Sequence, residues 1–137
     1  MIVVSCEPMG APRQTRADAW KRRPVVLRYR AYKDQIRTAC GRPAVPERLA
    51  VSFYLVMPAS WSKKKRARME GEAHRSKPDV DNLAKGVMDA LWPDGDAEIA
   101  ELRARKFWGY TGEIVVETEL AQHAEDYEPT TTKKKKP

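Results

Sequence analysis

Apolar and polar positions alternate between two periods along the chain. Residues 2–6 form a short apolar run with two adjacent valines, which predicts a strand broken by Pro8, Gly10 and Pro12. A polar, basic stretch follows and reads as a loop up to Pro24. Val25, Tyr29, Tyr32, Ile36 and Ala39 then recur at three- and four-residue steps, predicting a helix over 25–40 that Gly41 and Pro43 stop. Residues 49–57 (LAVSFYLVM) are β-branched and aromatic, a strand ended by Pro58. Residues 59–70 have helix-forming, surface-like composition, and 71–78 reads as a loop. Val80, Leu83, Ala84, Val87, Met88 and Leu91 make one apolar stripe, the clearest amphipathic helix in the chain. After a turn at 92–95, residues 99–108 and 114–120 alternate as strands, and Tyr110-Thr111-Gly112 between them predicts a hairpin. No repeat or regular βαβ spacing is present. The expected fold is a small single α+β domain, a mixed β-sheet packed with helices, over residues 1–121; the polar, lysine-rich 122–137 is an expected disordered tail.

Length and composition narrow the class. A chain of 137 residues suits one domain of modest core. No apolar run is long enough to span a bilayer, and the first residues lack the basic n-region and long apolar stretch of a signal peptide. Cys6 and Cys40 lie far apart without a CxxC, so neither structural zinc nor a disulfide framework is indicated. A cytoplasmic protein with reduced thiols and no membrane partner is expected.

The net charge of +7 is unevenly spread. Four lysines sit in the terminal TTTKKKKP, and without them the net charge falls to +3. Arg13, Arg16, Lys21, Arg22 and Arg23 crowd the loop before the first helix, and Lys63, Lys64 and Lys65 open the second. The acids concentrate after Asp79. A basic half with an acidic centre fits a polyanionic partner with something else held at the carboxylates; a solvated charged surface is the plainer alternative. Trp20 and Trp61 stand among these basic residues, where indoles stack on exposed bases or simply pack.

The acidic centre carries the chemistry. In Lys77-Pro-Asp-Val-Asp-Asn-Leu-Ala-Lys85, Pro78 belongs near a helix start, which puts Asp79 at the helix boundary and Asp81 in the first turn. Both carboxylates can turn to one point if Asp79 is still extended. Helix capping, with an ordinary Asp81–Lys85 ion pair, is the alternative. Asp94 and Asp96 follow the same helix, whose length of roughly 18 Å keeps its ends apart. Asp96 therefore joins Asp79 and Asp81 only by returning along the next strand or by coming from a second chain. Several carboxylates around one point repel unless cation-bound, and an oxygen-only set selects Mg²⁺ or Mn²⁺. Such an ion activates water for attack at phosphorus.

KPDVDNLAKGVMDAL, followed by Trp92 and by Asp94-Gly-Asp-Ala-Glu-Ile99, resembles the RusA family of Holliday junction resolvases. The segments PMGAPRQTRADAWKRRPVVLRYRAYKDQIR and MPASWSKKKRARMEG are similar to its phage and prophage members. The resemblance implies a homodimeric, Mg²⁺-dependent endodeoxyribonuclease (Mn²⁺ substituting) that nicks four-way DNA junctions symmetrically in recombination and repair. It assigns catalytic and metal-binding roles to Asp79, Asp81 and Asp96 and an essential role to Lys85. The family's D-D-x-Q-[IV] element here reads Asp94-Gly95-Asp96-Ala97-Glu98-Ile99, so Gly95 interrupts the adjacent pair and Glu98 replaces glutamine. Asp94, Glu98, Asp89 and His74 are further candidates around the site. Arg13, Arg16, Lys21, Arg22, Arg23, Lys63, Lys64 and Lys65 are candidates for contacting DNA phosphates. A non-catalytic structure-specific DNA-binding protein and a flap- or fork-preferring nuclease are the alternatives.

Overall fold

Strand β2 (Arg48–Val56) organises the domain because it is buried on both faces. Leu49, Val51, Phe53 and Leu55 point into the helix-covered core, while Ala50 and Ser52 are covered on the other side. A strand so enclosed needs a partner along each edge. β3 (Glu101–Gly109) runs parallel to it, from Arg48 opposite Glu101 to Val56 opposite Gly109. β4 (Glu113–Glu117) runs antiparallel along the other edge, and β1 (Ile2–Val4) pairs antiparallel with β4. The computed structural model describes residues 1–12 and 23–118, and among them the sheet order is β1-β4-β2-β3.

That order corrects the predicted hairpin. β3 and β4 are consecutive but lie on opposite sides of β2, and residues 110–112 hop over its end. Pro58 terminates β2, and the Met57 N–H donates to Gly109 O at 3.0 Å, closing the end over which the link passes. Alternation shows which residues share a face, not which strand lies alongside. The mixed sheet itself is as expected.

Helix α1 (Pro24–Cys40) opens on a proline at its first position and closes on Gly41, whose φ of 73° and N–H bond to Arg37 O suit a glycine. It buries Val26, Tyr29, Tyr32 and Ile36; Val25 is only half-buried and Ala39 is exposed. Helix α2 (Lys63–Met69) is shorter than predicted, because Ser62 caps it by accepting the Lys65 N–H at 3.1 Å. None of its residues is buried. Helix α3 (Val80–Leu91) has the expected bounds and buries Leu83, Ala84, Gly86, Val87 and Ala90 against α1 and the sheet. A 3₁₀ turn at Asp96–Glu98 leads into β3. No helix of the described residues is long and apolar enough to cross a membrane. The expected tail at 122–137 lies outside the described residues.

The segment after α2 fixes the position of the carboxylates. The Gly71 and His74 N–H groups donate to Trp108 O and Lys106 O, and Trp108 N–H donates to Glu72 O. This stretch therefore lies along the outer edge of β3, with Ala73 bridging Phe107, and delivers residues 75–79 to one end of the sheet.

Candidate active site

Asp79 stands at the start of α3 with extended backbone (φ −69°, ψ 145°), and its side chain makes no capping hydrogen bond. Asp81 sits in the first turn and accepts the Asn82 N–H at 2.9 Å. The change from extended to helical backbone between them brings both carboxylates to one open cleft of ≈ 580 Å³, lined also by Arg75, Ser76, Lys77, Val80 and Lys106. Asp79 thus holds the N-cap position of the capping alternative without its side-chain bond. Its carboxylate pairs with Lys77 Nζ at 3.3 Å, an exposed contact that leaves it accessible.

Lys106, like Arg75, is a charged cleft residue that sequence reasoning missed. It lies in β3 opposite Phe53, and its Nζ donates to Ser76 O and, at 2.7 Å, to Pro78 O. Burial lowers its pKa and Lys77 adds to the effect, while the Asp79 carboxylate opposes them. An alternating strand offers no motif by which to single this lysine out. Arg75, Lys77 and Lys106 rim a pair of carboxylates, so the cleft attracts a polyanion while presenting oxygen ligands within it. Two carboxylates with no His or Cys lining the cleft fit a hard divalent ion such as Mg²⁺, which takes one or two carboxylates plus water and substrate phosphate.

The remaining expected residues fall elsewhere. Lys85 is on the exposed side of α3 and pairs with Asp89, one turn on, at 3.6 Å, in place of the expected pairing with Asp81. It does not line the cleft. Asp94, Asp96 and Glu98 follow the far end of α3, where Gly95 packs against Val45 and Trp92. Among the described residues no three His, Cys, Asp or Glu side chains gather closely enough to hold a metal. The expected Asp79–Asp81–Asp96 triad is thus not assembled within one chain, because twelve helical residues separate its halves.

His74 is a buried structural residue here, 6% exposed, rather than a group facing a phosphate. Its ring lies 4.1 Å from that of Trp108, and Nδ1 accepts the Ser76 N–H at 3.4 Å. Desolvation, helped by Lys106, holds its pKa below the usual value. Trp108 also packs against Trp61, over which Lys65 Nζ sits at 4.2 Å. The aromatic line Trp61–Trp108–His74 therefore links α2 to the segment bearing the carboxylates. Lys63 and Lys64 are exposed and Lys65 half-buried on α2, while Arg23 precedes α1. Arg13, Arg16, Trp20, Lys21 and Arg22 lie outside the described residues. The residue just before that segment is placed, however: the Asn82 side chain donates to Ala11 O at 3.4 Å, beside Asp79.

A comparison with protein families matches residues 6–119 to the model described as Endodeoxyribonuclease RusA. Neither the curated proteins nor the solved structures contain a match.

Proposed function

The chain belongs to the RusA endodeoxyribonuclease family, whose members act on Holliday junctions, and from that premise we propose that it resolves four-way DNA junctions by Mg²⁺-dependent paired nicks as a homodimer. The observation that carries the reading is the shared cleft of Asp79 and Asp81 inside a rim of Arg75, Lys77 and Lys106. A divalent ion bound there supplies a polarised water and neutralises charge at phosphorus. Asp79 and Asp81 orient that ion, the cationic rim draws in the phosphodiester, and the lysines on α2 hold an arm of the duplex by its phosphates. Recombination and repair at branched DNA, in a cytoplasmic setting, is the process in which such an activity serves.

A dimer also accounts for Asp96. Two α3 helices lying side by side and antiparallel about a twofold axis carry the partner's Asp96 to Asp79 and Asp81, completing at each end a shell that one chain leaves open. Lys85, at the middle of the same helix, then faces the shared region and steadies charge on the phosphate.

The test is cleavage of a synthetic four-way junction against a matched linear duplex, with and without Mg²⁺, for wild type and Asp81→Asn. Junction-selective, metal-dependent nicking that is absent in the variant supports the reading. Tight binding with no nicking in Mg²⁺ or Mn²⁺ makes the chain a structure-specific DNA-binding protein instead, and a preference for flaps makes it a different nuclease. Mixing Asp81→Asn with Asp96→Asn protomers tests the shared site. Each is inactive alone, and the mixed dimer regains one intact site and one nick; a mixture as inactive as its parents sinks the shared arrangement.

A further inference from the structure

Lys106 sits on the core-facing side of β3, flanked along the strand by Ala104 and Trp108, where an alternating pattern calls for an apolar residue. Its ammonium meets the segment that precedes α3 at the β3 edge of the sheet. The two carbonyls it bonds, those of Ser76 and Pro78, straddle Lys77. The peptide unit of Pro78 O ends at the nitrogen of Asp79. Fixing that carbonyl therefore fixes the plane from which the Asp79 side chain departs, and with it the entry into the turn that carries Asp81. An ammonium has three donors, and two of them serve these carbonyls. A methionine donates to neither carbonyl, and a glutamine has two amide donors but is one bond shorter, so it holds the bend less firmly.

We propose that Lys106 is a positioning residue of the nuclease site, whose ammonium staples the Ser76–Pro78 bend to β3 and so holds Asp79 and Asp81 in the geometry that binds the divalent ion. This inference rests on the metal-dependent reading above. Two independent features accord with it. Ser76 in the same bend also donates its N–H to His74 Nδ1 at 3.4 Å, so this residue is held at both its N–H and its carbonyl. Lys106 also lines the same cleft as both carboxylates, so a change in its contacts is felt there directly.

The test compares wild type with Lys106→Met, Lys106→Gln and Lys106→Arg in the full chain. Mn²⁺ binding is followed by electron paramagnetic resonance, junction binding is measured in Ca²⁺, and the rate of tryptic cleavage after Arg75 reports on the bend. Loss of an interaction that orients metal ligands costs about 10–100-fold in metal affinity. The expected result is a loss of that size in Mn²⁺ affinity and in nicking for Lys106→Met, a smaller loss for Lys106→Gln, and a fall in junction affinity in Ca²⁺ well short of the fall in nicking, since Lys106 is also one of the three rim cations. Faster cleavage after Arg75 and partial recovery in Lys106→Arg are expected alongside. Should Lys106→Met not fold, the polar Gln variant gives the same readings at reduced size. Unchanged Mn²⁺ affinity overturns the proposal. So does a fall in junction binding that matches the fall in nicking, which would make Lys106 a substrate contact. Wild type that binds no Mn²⁺ instead sinks the metal-dependent reading itself, and faster cleavage after Arg75 in the variants would still show the staple at work.

Discussion

The hydroxyl of Tyr29 in α1 stands 3.0 Å from the point where a side chain on Gly86 of α3 would begin. The Tyr29 side chain is buried, and its hydroxyl has no hydrogen-bond partner among the described residues. Gly86 is therefore a packing notch that lets the two helices approach, and its cost is the weaker helix propensity of glycine. Ala at 86 gains about 1 kcal/mol of propensity, but overpacking against a buried ring costs about 1–3 kcal/mol. Gly86→Ala is expected to destabilise the domain by about 1 kcal/mol. Tyr29→Phe removes the unpaired hydroxyl and leaves ring carbons at 3.7 and 3.8 Å, ordinary contact distances. In that background Gly86→Ala should stabilise. Urea midpoints for the four proteins of the cycle test this, and the same sign in both backgrounds would refute it.

Lys85 and Asp89 form an exposed pair on α3, and such pairs contribute about 0.5 kcal/mol or less. Lys85→Ala is expected to slow junction cleavage by at least about tenfold with stability changed by no more than that amount. Asp89→Ala should leave the rate nearly unchanged, since it only releases the lysine. Equal losses in both variants would mean that the pair itself is what the reaction needs.

None of the α2 lysines is buried, and half-buried Lys65 sits over the Trp61 ring outside the core cluster, so removing them leaves the core in place. Replacing Lys63, Lys64 and Lys65 by alanine should weaken junction binding and flatten the dependence of log affinity on log salt by about 2–3, near 0.9 for each lost phosphate contact. Thermal stability should hold. A triple variant with the wild-type salt slope would place the DNA away from α2.

Burial of His74 gives a pH dependence whose sign is determined. Its folded pKa lies below the ordinary 6.5, chiefly through desolvation and then through Lys106. The unfolded chain therefore takes up a proton first as pH falls. The stabilisation is complete above pH 6.5 and is lost as pH drops from there through the folded value. Denaturant midpoints from pH 8 to 5 should decline more steeply in wild type than in His74→Phe. Parallel curves would show that the imidazole is not held neutral.

Legibility from sequence tracked how locally each feature is encoded. The bounds of α3 follow from a stripe of apolar residues and from Pro78, both within one segment. Asp79 and Asp81 were legible for the same reason, since their meeting depends only on where helical backbone begins. The order of the strands was not, because the residues 110–112 that suggest a hairpin also suit a hop over a terminated neighbour. Gly86 and Ala90 escaped the apolar stripe because close helix packing selects small residues, not hydrophobic ones. Lys106 escaped because its role comes from two carbonyls that lie nearly thirty residues earlier in the chain. His74, a candidate for the site from its place just before the motif, is buried through Trp108, which lies far along the chain.

β4 is the last described strand to be made and an interior one in the sheet, and β1 pairs only with it among the described strands. On the ribosome, the first strand thus waits for almost the entire domain to be synthesised before it has a place, and β2 keeps one bare edge until then. A nascent chain cannot complete this core stepwise from its N-terminus. The sheet, and with it the support of the cleft, is complete only once residues near Glu117 are free to pair.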